Sequence, residues 1–312
     1  MSKSFKTYLE EWADEDPRIR EYLDNLPKIE RPSRKVLNKL KGLGVTHLWG
    51  VTSRVIDRDL KKPDWLPPKA SWRADYVTRE DIWMKDIKPL NPDHTLLGPV
   101  ITIEHVPRRF GVVKRPGPPD AKGYNGLEIG PSQHIARWEA EESMEEGDIL
   151  LFASDGRQNQ RLCGLFGDCV IYGFQQHGAG GIIVDGGIRD GAAVRKINFP
   201  VFCSYTSPWD AAPQISQRTN VPVVSNGVLV CPGDVIVGDY DGVIVIPKEK
   251  VAEVADEARE TEEVEDLARY MMRKGVPIRH SYDRKDPKFP WYRKDRFDKY
   301  RKMWEAEGKP KH

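Results

Sequence analysis

The stretch Val184-Asp185-Gly186-Gly187-Ile188-Arg189-Asp190-Gly191 combines residue types able to do chemistry. A buried strand ending in a glycine-rich turn would present Arg189 and Asp190 at the mouth of a helix, and open α/β sheets bind ligands at the carboxyl ends of their strands. The planar fork of Arg189 could hold a carboxylate or polarise a carbonyl. Asp190 could hold a divalent cation. The plainer alternative is that both are helix-start residues, since aspartate is favoured in a first turn. A second stretch, Gly164-Leu165-Phe166-Gly167-Asp168-Cys169-Val170, precedes a predicted helix. The N–H groups of a first helical turn lack intrahelical partners and bind anions, so a substrate carboxylate could dock there. The alternative is that Asp168 only caps its helix. Together the two stretches predict a metal-dependent carboxylate site built by Gly167-Asp168 and the Asp185-to-Asp190 turn.

Positioning these residues requires an alternation of strands and helices. Ile149 to Ala153 reads as a strand, Asp168 to His177 as a helix ending at Gly178, and Gly181 to Val184 as a buried strand. Gly191 to Asn198 reads as a helix and Pro200 to Cys203 as a strand. That order argues for an α/β layer with parallel pairing. Val221–Val224, Val228–Cys231, Val235–Gly238 and Val243–Ile246 are then four strands separated by turn signals, of which Asn226-Gly227 predicts a hairpin. This part should be antiparallel, a small barrel or sandwich packed on the layer. Gly98 to Ile103 is a strand by its β-branched residues.

The flanks read differently. Residues 1–35 suggest a polar helical arm interrupted at Pro17, Pro27 and Pro32. Arg34 to Leu43 is a helix by its apolar face, and His47 to Val55 leads into the core beside a strand. Asp57 to Pro92 reads as an irregular connection, and ~107 to ~142 as an insertion too rich in Pro and Gly for core structure. Pro247 opens a helix from Lys248 to about Arg273, followed by a basic tail carrying Trp291, Tyr292, Phe297, Tyr300 and Trp304. The organisation is therefore an arm (1–35), a core (36–247) with an insertion at about 107–142, and a C-terminal helix and basic-aromatic tail (248–312).

Composition excludes several classes. Lys plus Arg (49) balances Asp plus Glu (48), so no global field points to nucleic acid or to a membrane surface. No apolar run approaches the ~20 residues of a membrane helix. Cys163, Cys169, Cys203 and Cys231 form no C-x-x-C pair, which points to reduced thiols and a cytoplasmic protein. His177 is expected at a helix C-terminus, interacting with the helix dipole. His47 is expected in the core. His105 and His134 could face the site, and Glu104 and Asp155, near strand ends, are alternative proton-transfer groups. The aromatic-basic tail fits the wrapping of a neighbouring subunit better than RNA binding.

Residues ~147 to ~247 resemble the RraA-like family, which includes 4-hydroxy-4-methyl-2-oxoglutarate and 4-carboxy-4-hydroxy-2-oxoadipate aldolases and regulators of ribonuclease E activity. The matching segments are Gly167-Asp168, Gly178-Ala179-Gly180-Gly181 and Asp185-Gly186-Gly187-Ile188-Arg189-Asp190, with Pro232-Gly233-Asp234 and Asp239-Tyr240-Asp241-Gly242-Val243 beyond them. The resemblance implies an RraA-like layered α/β core with a small antiparallel part and N- and C-terminal helical extensions. It implies that Arg189 contacts the pyruvate part of a substrate and that Asp190 binds Mg2+ (or Mn2+), partly through water. Asp168 would hold the metal's water shell, while Gly167, Asp168 and the amides of Cys169 and Val170 receive a carboxylate. Arg189, Asp190 and Asp168 would then be the catalytic set, acting through a stabilised pyruvate enolate. The family assembles as trimers or hexamers, so a homo-oligomer is expected. The chain departs from the family in its arm, insertion and tail, and in Tyr172 and Phe174 on a helix usually rich in alanine.

Three functions follow from this resemblance. The first is a metal-dependent lyase, either an aldolase or an oxaloacetate-type decarboxylase. The second is a non-catalytic regulatory binding protein. The third is an enzyme of the same fold on a larger aromatic-derived or sugar acid, with the insertion as a lid.

Overall fold

A computed structural model describes residues 10–11, 13–26, 28–59, 82–107, 135–154, 163–209, 214–281 and 294–311. His134, Asp155, Trp291 and Tyr292, and the lid suggested for the insertion (108–134), lie outside these residues. The chain divides into two compact units, residues 1–254 and 255–312.

The first unit is built on a nine-stranded sheet. Its strands are β1 (Trp83–Met84), β2 (Lys88–Pro89), β3 (Leu96–Pro107), β4 (Ile149–Ser154), β5 (Gly181–Ile188), β6 (Val201–Thr206), β7 (Gln214–Thr219), β10 (Val235–Asp239) and β11 (Gly242–Ile246). The order is β1-β11-β10-β3-β4-β5-β6-β2, with β7 also pairing with β3. Strands β4, β5 and β6 run parallel, as the alternation predicts, and β3 joins them in parallel beside β4. The antiparallel part is continuous with them, because β3 is long. Its first residues, Leu96 to Pro99, pair with β10, and those from Val100 onward pair with β4. β8 (Val223–Ser225) and β9 (Val228–Val230) form a separate hairpin around Asn226-Gly227. Both central residues of its turn have positive φ (48° and 84°), as the Asn-Gly signal requires.

Two hydrophobic clusters cover the two faces of the sheet. One contains Ile101, Ile103, Leu150, Phe152, Ile182 and Val184. The other contains Val100, Ile149, Leu151, Ile183, Phe202 and Ile236. Alternate residues of β3, β4 and β5 therefore face opposite layers, and all six residues of β4 are buried.

Several flanking elements differ from the sequence reading. His47 lies on a helix, α3 (Val45–Asp59), and is half-buried, not in the core; Asp239 Oδ2 accepts the N–H of Val45 at 2.8 Å and caps it. Helices α1 (Pro17–Asp24) and α2 (Arg34–Leu40, capped by Ser33) precede it. The end of the expected insertion is core structure: α4 (Ile135–Ser143) buries Ala136 and Ala140. The proline-rich composition before it masked a helix that has only one apolar stripe.

Arg31 reaches the sheet from the arm. Its guanidinium makes an ion pair with Asp148 at 2.7 Å, and Asp148 is 2 % exposed. Glu145 N–H also donates to Asp148. Removing one partner of a buried pair costs about 3–5 kcal/mol, because the other is left charged and unmatched. Arg31→Ala should therefore lower the denaturant midpoint with an unchanged m-value.

In the second unit, α7 (Val251–Arg273) continues from the first unit and meets α9 (Lys294–Ala306), with the short α8 (Ile278–Ser281) between them in sequence. Trp304, 2 % exposed, packs with Leu267, Tyr270 and Met271. Tyr270 donates to Glu307 at 2.8 Å. Trp304 and Tyr300 thus pack within their own chain, and Trp304 is not an anchor for a neighbouring subunit. No helix among the described residues is long and apolar enough to cross a membrane.

Candidate functional site

The carboxyl end of β5 positions the candidate residues. β5 runs beyond Val184 to Ile188, with a register irregularity between Val184 and Gly187. The expected turn from Asp185 onward is therefore mostly strand. Asp185 is fully buried and accepts the N–H of Asn226 at 2.9 Å, tying the β8–β9 hairpin to the sheet. It is a structural residue, and only Arg189 and Asp190 make the turn. Gly191–Val194 form one short helix, α6, instead of the longer helix expected to Asn198.

Asp190 has φ 55° and ψ 32°. This left-handed conformation is uncommon for a side-chain-bearing residue and tolerated best by Asn and Asp. Its carbonyl accepts the N–H groups of Ala193 and Val194, so the backbone starts α6. Its side chain makes no cap; it is exposed and takes no hydrogen bond among the described residues. The helix-start alternative thus explains the Asp190 backbone but not its carboxylate.

The second stretch lies directly against this turn. Leu165 N–H donates to Gly187 O at 2.8 Å, and Arg189 N–H donates to Phe166 O at 2.7 Å. The loop behaves as an extra strand segment beside β5, fixing Gly167 opposite Asp190. A Cβ at Gly167 would overlap Asp190 Oδ2 and lie 3.7 Å from Arg189 Nη2. A Cβ at Gly164 would overlap Arg189 Cγ. Both positions need glycine because two side chains of the turn pass over them.

Gly167 is the N-cap of α5 (Asp168–Gln176), and no side chain caps that helix. Asp168 is its first residue, not its cap, and its Oδ1 accepts the N–H of Cys169 at 2.9 Å. Ile171 N–H donates to Gly167 O, the first intrahelical bond. Cys169 is exposed and Val170 half-buried, so the first turn of α5 is open to solvent beside the turn that holds Arg189 and Asp190.

Other sequence candidates are placed elsewhere. Glu104 accepts two hydrogen bonds from Arg218, at 2.6 and 2.8 Å, and this pairing holds its carboxyl below the usual range. His105 is buried against Phe152, with Nε2 2.9 Å from Ser216 Oγ. Neither is a free proton-transfer group. His177 caps the C-terminus of α5, as expected, with Nδ1 3.5 Å from Glu141. All four cysteines are free thiols.

The sequence reading passed over the end of β6. There the Tyr205 ring lies against Gly187, Thr206 against Gly191 and the Ser207 carbonyl against Gly164. The available signal was topological: the next parallel strand must end beside the site strand. A cavity of about 570 Å³ opens where β4 and β5 begin, lined by residues including Arg31, Leu40, Gly98, Asp148 and Asp239; no candidate residue borders it.

Fold and site define a layered α/β protein with a carboxylate-and-arginine turn at the carboxyl end of a central parallel strand. The chain belongs to the RraA-like family: its model, described as Aldolase/RraA, matches residues 52–245. A protein of Halalkalibacterium halodurans, named provisionally as a 4-hydroxy-4-methyl-2-oxoglutarate aldolase, is 30% identical over 183 residues, covering 59% of this chain and 74% of that protein. Streptomyces coelicolor RraAS2, described as an unusual member of the RNase ES inhibitor RraA protein family, superposes with TM-score 0.56 at 25% identity over 77% of this chain and 98% of its own. An uncharacterized protein from Pseudomonas syringae shares the fold, with TM-score 0.57 at 20% identity over 80% of this chain and 97% of its own.

Proposed function

We propose that this protein is a divalent-metal-dependent lyase that cleaves a carbon–carbon bond of a 2-oxo acid, as an aldolase or an oxaloacetate-type decarboxylase. The observation that carries this reading is the Asp190 carboxylate, exposed, without a hydrogen bond among the described residues, and seated over Gly167 beside Arg189. The similarity to the H. halodurans protein supports the same reaction class.

The residues fit magnesium. The donors on offer are carboxylate oxygens with open solvent around them, which suits a small ion that keeps most of its water. Asp190 would hold it directly and Asp168 through its water shell; Mn2+ would be accepted by the same donors. When bound, the ion supplies positive charge that polarises the 2-oxo group and lowers the cost of the enolate.

The protein's own groups do the rest. The Arg189 guanidinium donates to the substrate's carboxylate or 2-oxo oxygen, and its backbone is fixed by the bond to Phe166. Cys169 N–H is shared with Asp168, so the Val170 N–H is the donor freest to take a carboxylate oxygen, while Gly167 makes room for the Asp190 carboxylate beside it. The end of β6, with Tyr205 and Thr206, would border the leaving half. We place this chemistry in a homo-oligomer, trimer or hexamer.

The test is pyruvate release from 4-hydroxy-2-oxo acids and from oxaloacetate. Turnover should vanish with EDTA and return with added Mg2+. Turnover that persists after complete chelation would exclude the mechanism.

A second reading is a regulatory binding protein, favoured by the match to nearly the whole of RraAS2 and by Tyr172, which stands 54 % exposed on α5. Co-purification with a ribonuclease, reduced by Tyr172→Ala and accompanied by no lyase turnover, would favour it.

A further inference from the structure

We propose that the segment leaving β6, Thr206 to Trp209, is the subsite for the leaving half of the substrate, and that Trp209 fits it to a planar apolar group on C4 rather than to a second carboxylate. The inference deepens the lyase reading and rests on its assignment of the 2-oxo acid half to Arg189 and Asp190.

The segment runs beside both residues of the turn. Thr206 is opposite Ile188 in the sheet and exposed, and a Cβ at Gly191, the residue after Asp190, would lie 2.8 Å from Thr206 Cγ2. Ser207 N–H donates to Ile188 O at 2.9 Å. The Ser207 carbonyl and the Arg189 side-chain stem meet over Gly164, where an added Cβ would overlap Arg189 Cγ and lie 2.7 Å from Ser207 O. Trp209 is then held on both sides of its main chain. Its N–H donates to Ser207 Oγ at 3.2 Å, and its carbonyl accepts the Gly164 N–H at 2.7 Å. Pro208 between them fixes its own φ and restricts Ser207 to extended conformations, so few arrangements are open to the segment. Gly164 is thus a common support: Arg189 crosses it on one side and the Trp209 main chain bonds to it on the other.

Trp209 keeps 50 % of its surface exposed. An indole anchored through its main chain is a flat apolar wall that loses little freedom when a ligand stacks on it. None of Thr206, Ser207, Pro208 and Trp209 carries a charge. A leaving half with its own carboxylate would lose water against the indole and gain no cation from this segment. An aryl group on C4 would lose only apolar hydration. Cleavage of a 4-aryl-4-hydroxy-2-oxo acid breaks the C3–C4 bond and leaves its electron pair in the pyruvate enolate. The 4-hydroxyl proton passes to solvent water and C4 departs as an aryl aldehyde. C3 takes a proton from water to give pyruvate, so no oxidant or further reactant is needed.

The experiment compares two non-cleavable acids, 2-oxo-4-phenylbutanoate and 2-oxoglutarate, binding to the full-length protein with Mg2+ by calorimetry. Turnover of 4-hydroxy-2-oxo-4-phenylbutanoate is followed in parallel. The wild type should bind the phenyl acid at least tenfold more tightly. Trp209→Ala should cut this preference to twofold or less, and Trp209→Phe, which keeps a planar ring, should retain most of it. Trp209→Arg, which supplies a cation, should turn the preference towards 2-oxoglutarate. A merely structural role would weaken both acids equally and leave their ratio unmoved, and that result overturns the proposal. So does a wild type without the preference, even if it cleaves other 2-oxo acids, which would leave the lyase standing. The expected preference and its loss in Trp209→Ala, without turnover, would retain the subsite and count against the lyase. Binding of neither acid would sink both. If Trp209→Ala does not fold, an unchanged preference in Trp209→Arg overturns the proposal by itself.

Discussion

Asp190→Asn should reduce kcat/KM for a 2-oxo acid at least 10²- to 10³-fold, the usual loss when one preorganised charge-stabilising group is removed from an active site. Asparagine is the informative replacement. At φ 55° the backbone tolerates Asn nearly as well as Asp, whereas alanine would add strain. The main-chain carbonyl that starts α6 is untouched, and the side chain it replaces makes no bond among the described residues. Stability should therefore stay within about 0.5 kcal/mol of wild type. A large loss of activity at unchanged stability is the signature of a functional carboxylate. Near-wild-type turnover in Asp190→Asn would remove Asp190 from the chemistry, and with it the proposed mechanism. Binding of Mg2+ in the presence of oxalate, followed by calorimetry, should weaken in step with the activity.

Gly167→Ala should be as damaging, for a steric reason. The added methyl group would occupy the position of Asp190 Oδ2 and crowd the Arg189 guanidinium. The cheapest response is rotation of the Asp190 carboxylate away from the site, since that side chain is exposed and makes no hydrogen bond among the described residues. The fold has no need of glycine conformation here: Gly167 has φ −103° and ψ −178°, an extended geometry open to alanine. We expect a loss of about 10²-fold or more, the scale of an ångström-sized displacement of a catalytic group, with a thermal midpoint close to wild type. A Gly167→Ala enzyme of normal kcat/KM would show that Asp190 does not act from the position seen in the structure. Gly164→Ala is a harsher change, because the overlap is with Arg189 Cγ and the neighbouring main chain, so loss of activity there would be mixed with loss of stability.

Much of this site was legible in the sequence because its signals are local. A β-branched run followed by glycines and an Arg-Asp pair marks a strand end, and Gly167-Asp168 before an apolar-periodic stretch marks a helix start. The helix over Asp168–Gln176, the parallel pairing of β4 to β6 and the Asn-Gly hairpin follow from periodicity and turn chemistry alone. Local patterns could not tell which aspartate of the Asp185-to-Asp190 segment faces ligand. Strand alternation and the irregularity after Val184 turn Asp185 inward to Asn226, a residue 41 positions away, and leave Asp190 outside. Nor could they reveal that Glu104, a plausible proton-transfer group, is matched by Arg218 on β7, a strand the sequence reading did not contain.

The sequence by itself determined the periodic elements, the balanced charge and the Gly-Asp and Arg-Asp pairs that carry the family resemblance. Each of these depends on neighbours within a few positions. Only the tertiary structure decided that Gly167 lies under Asp190, that Asp185 is structural, that α4 belongs to the core and that Trp304 packs on its own α7. Those outcomes depend on which distant surfaces are buried against one another. Burial of apolar area is non-directional, so the same residues would be equally satisfied in several arrangements until the whole sheet is assembled.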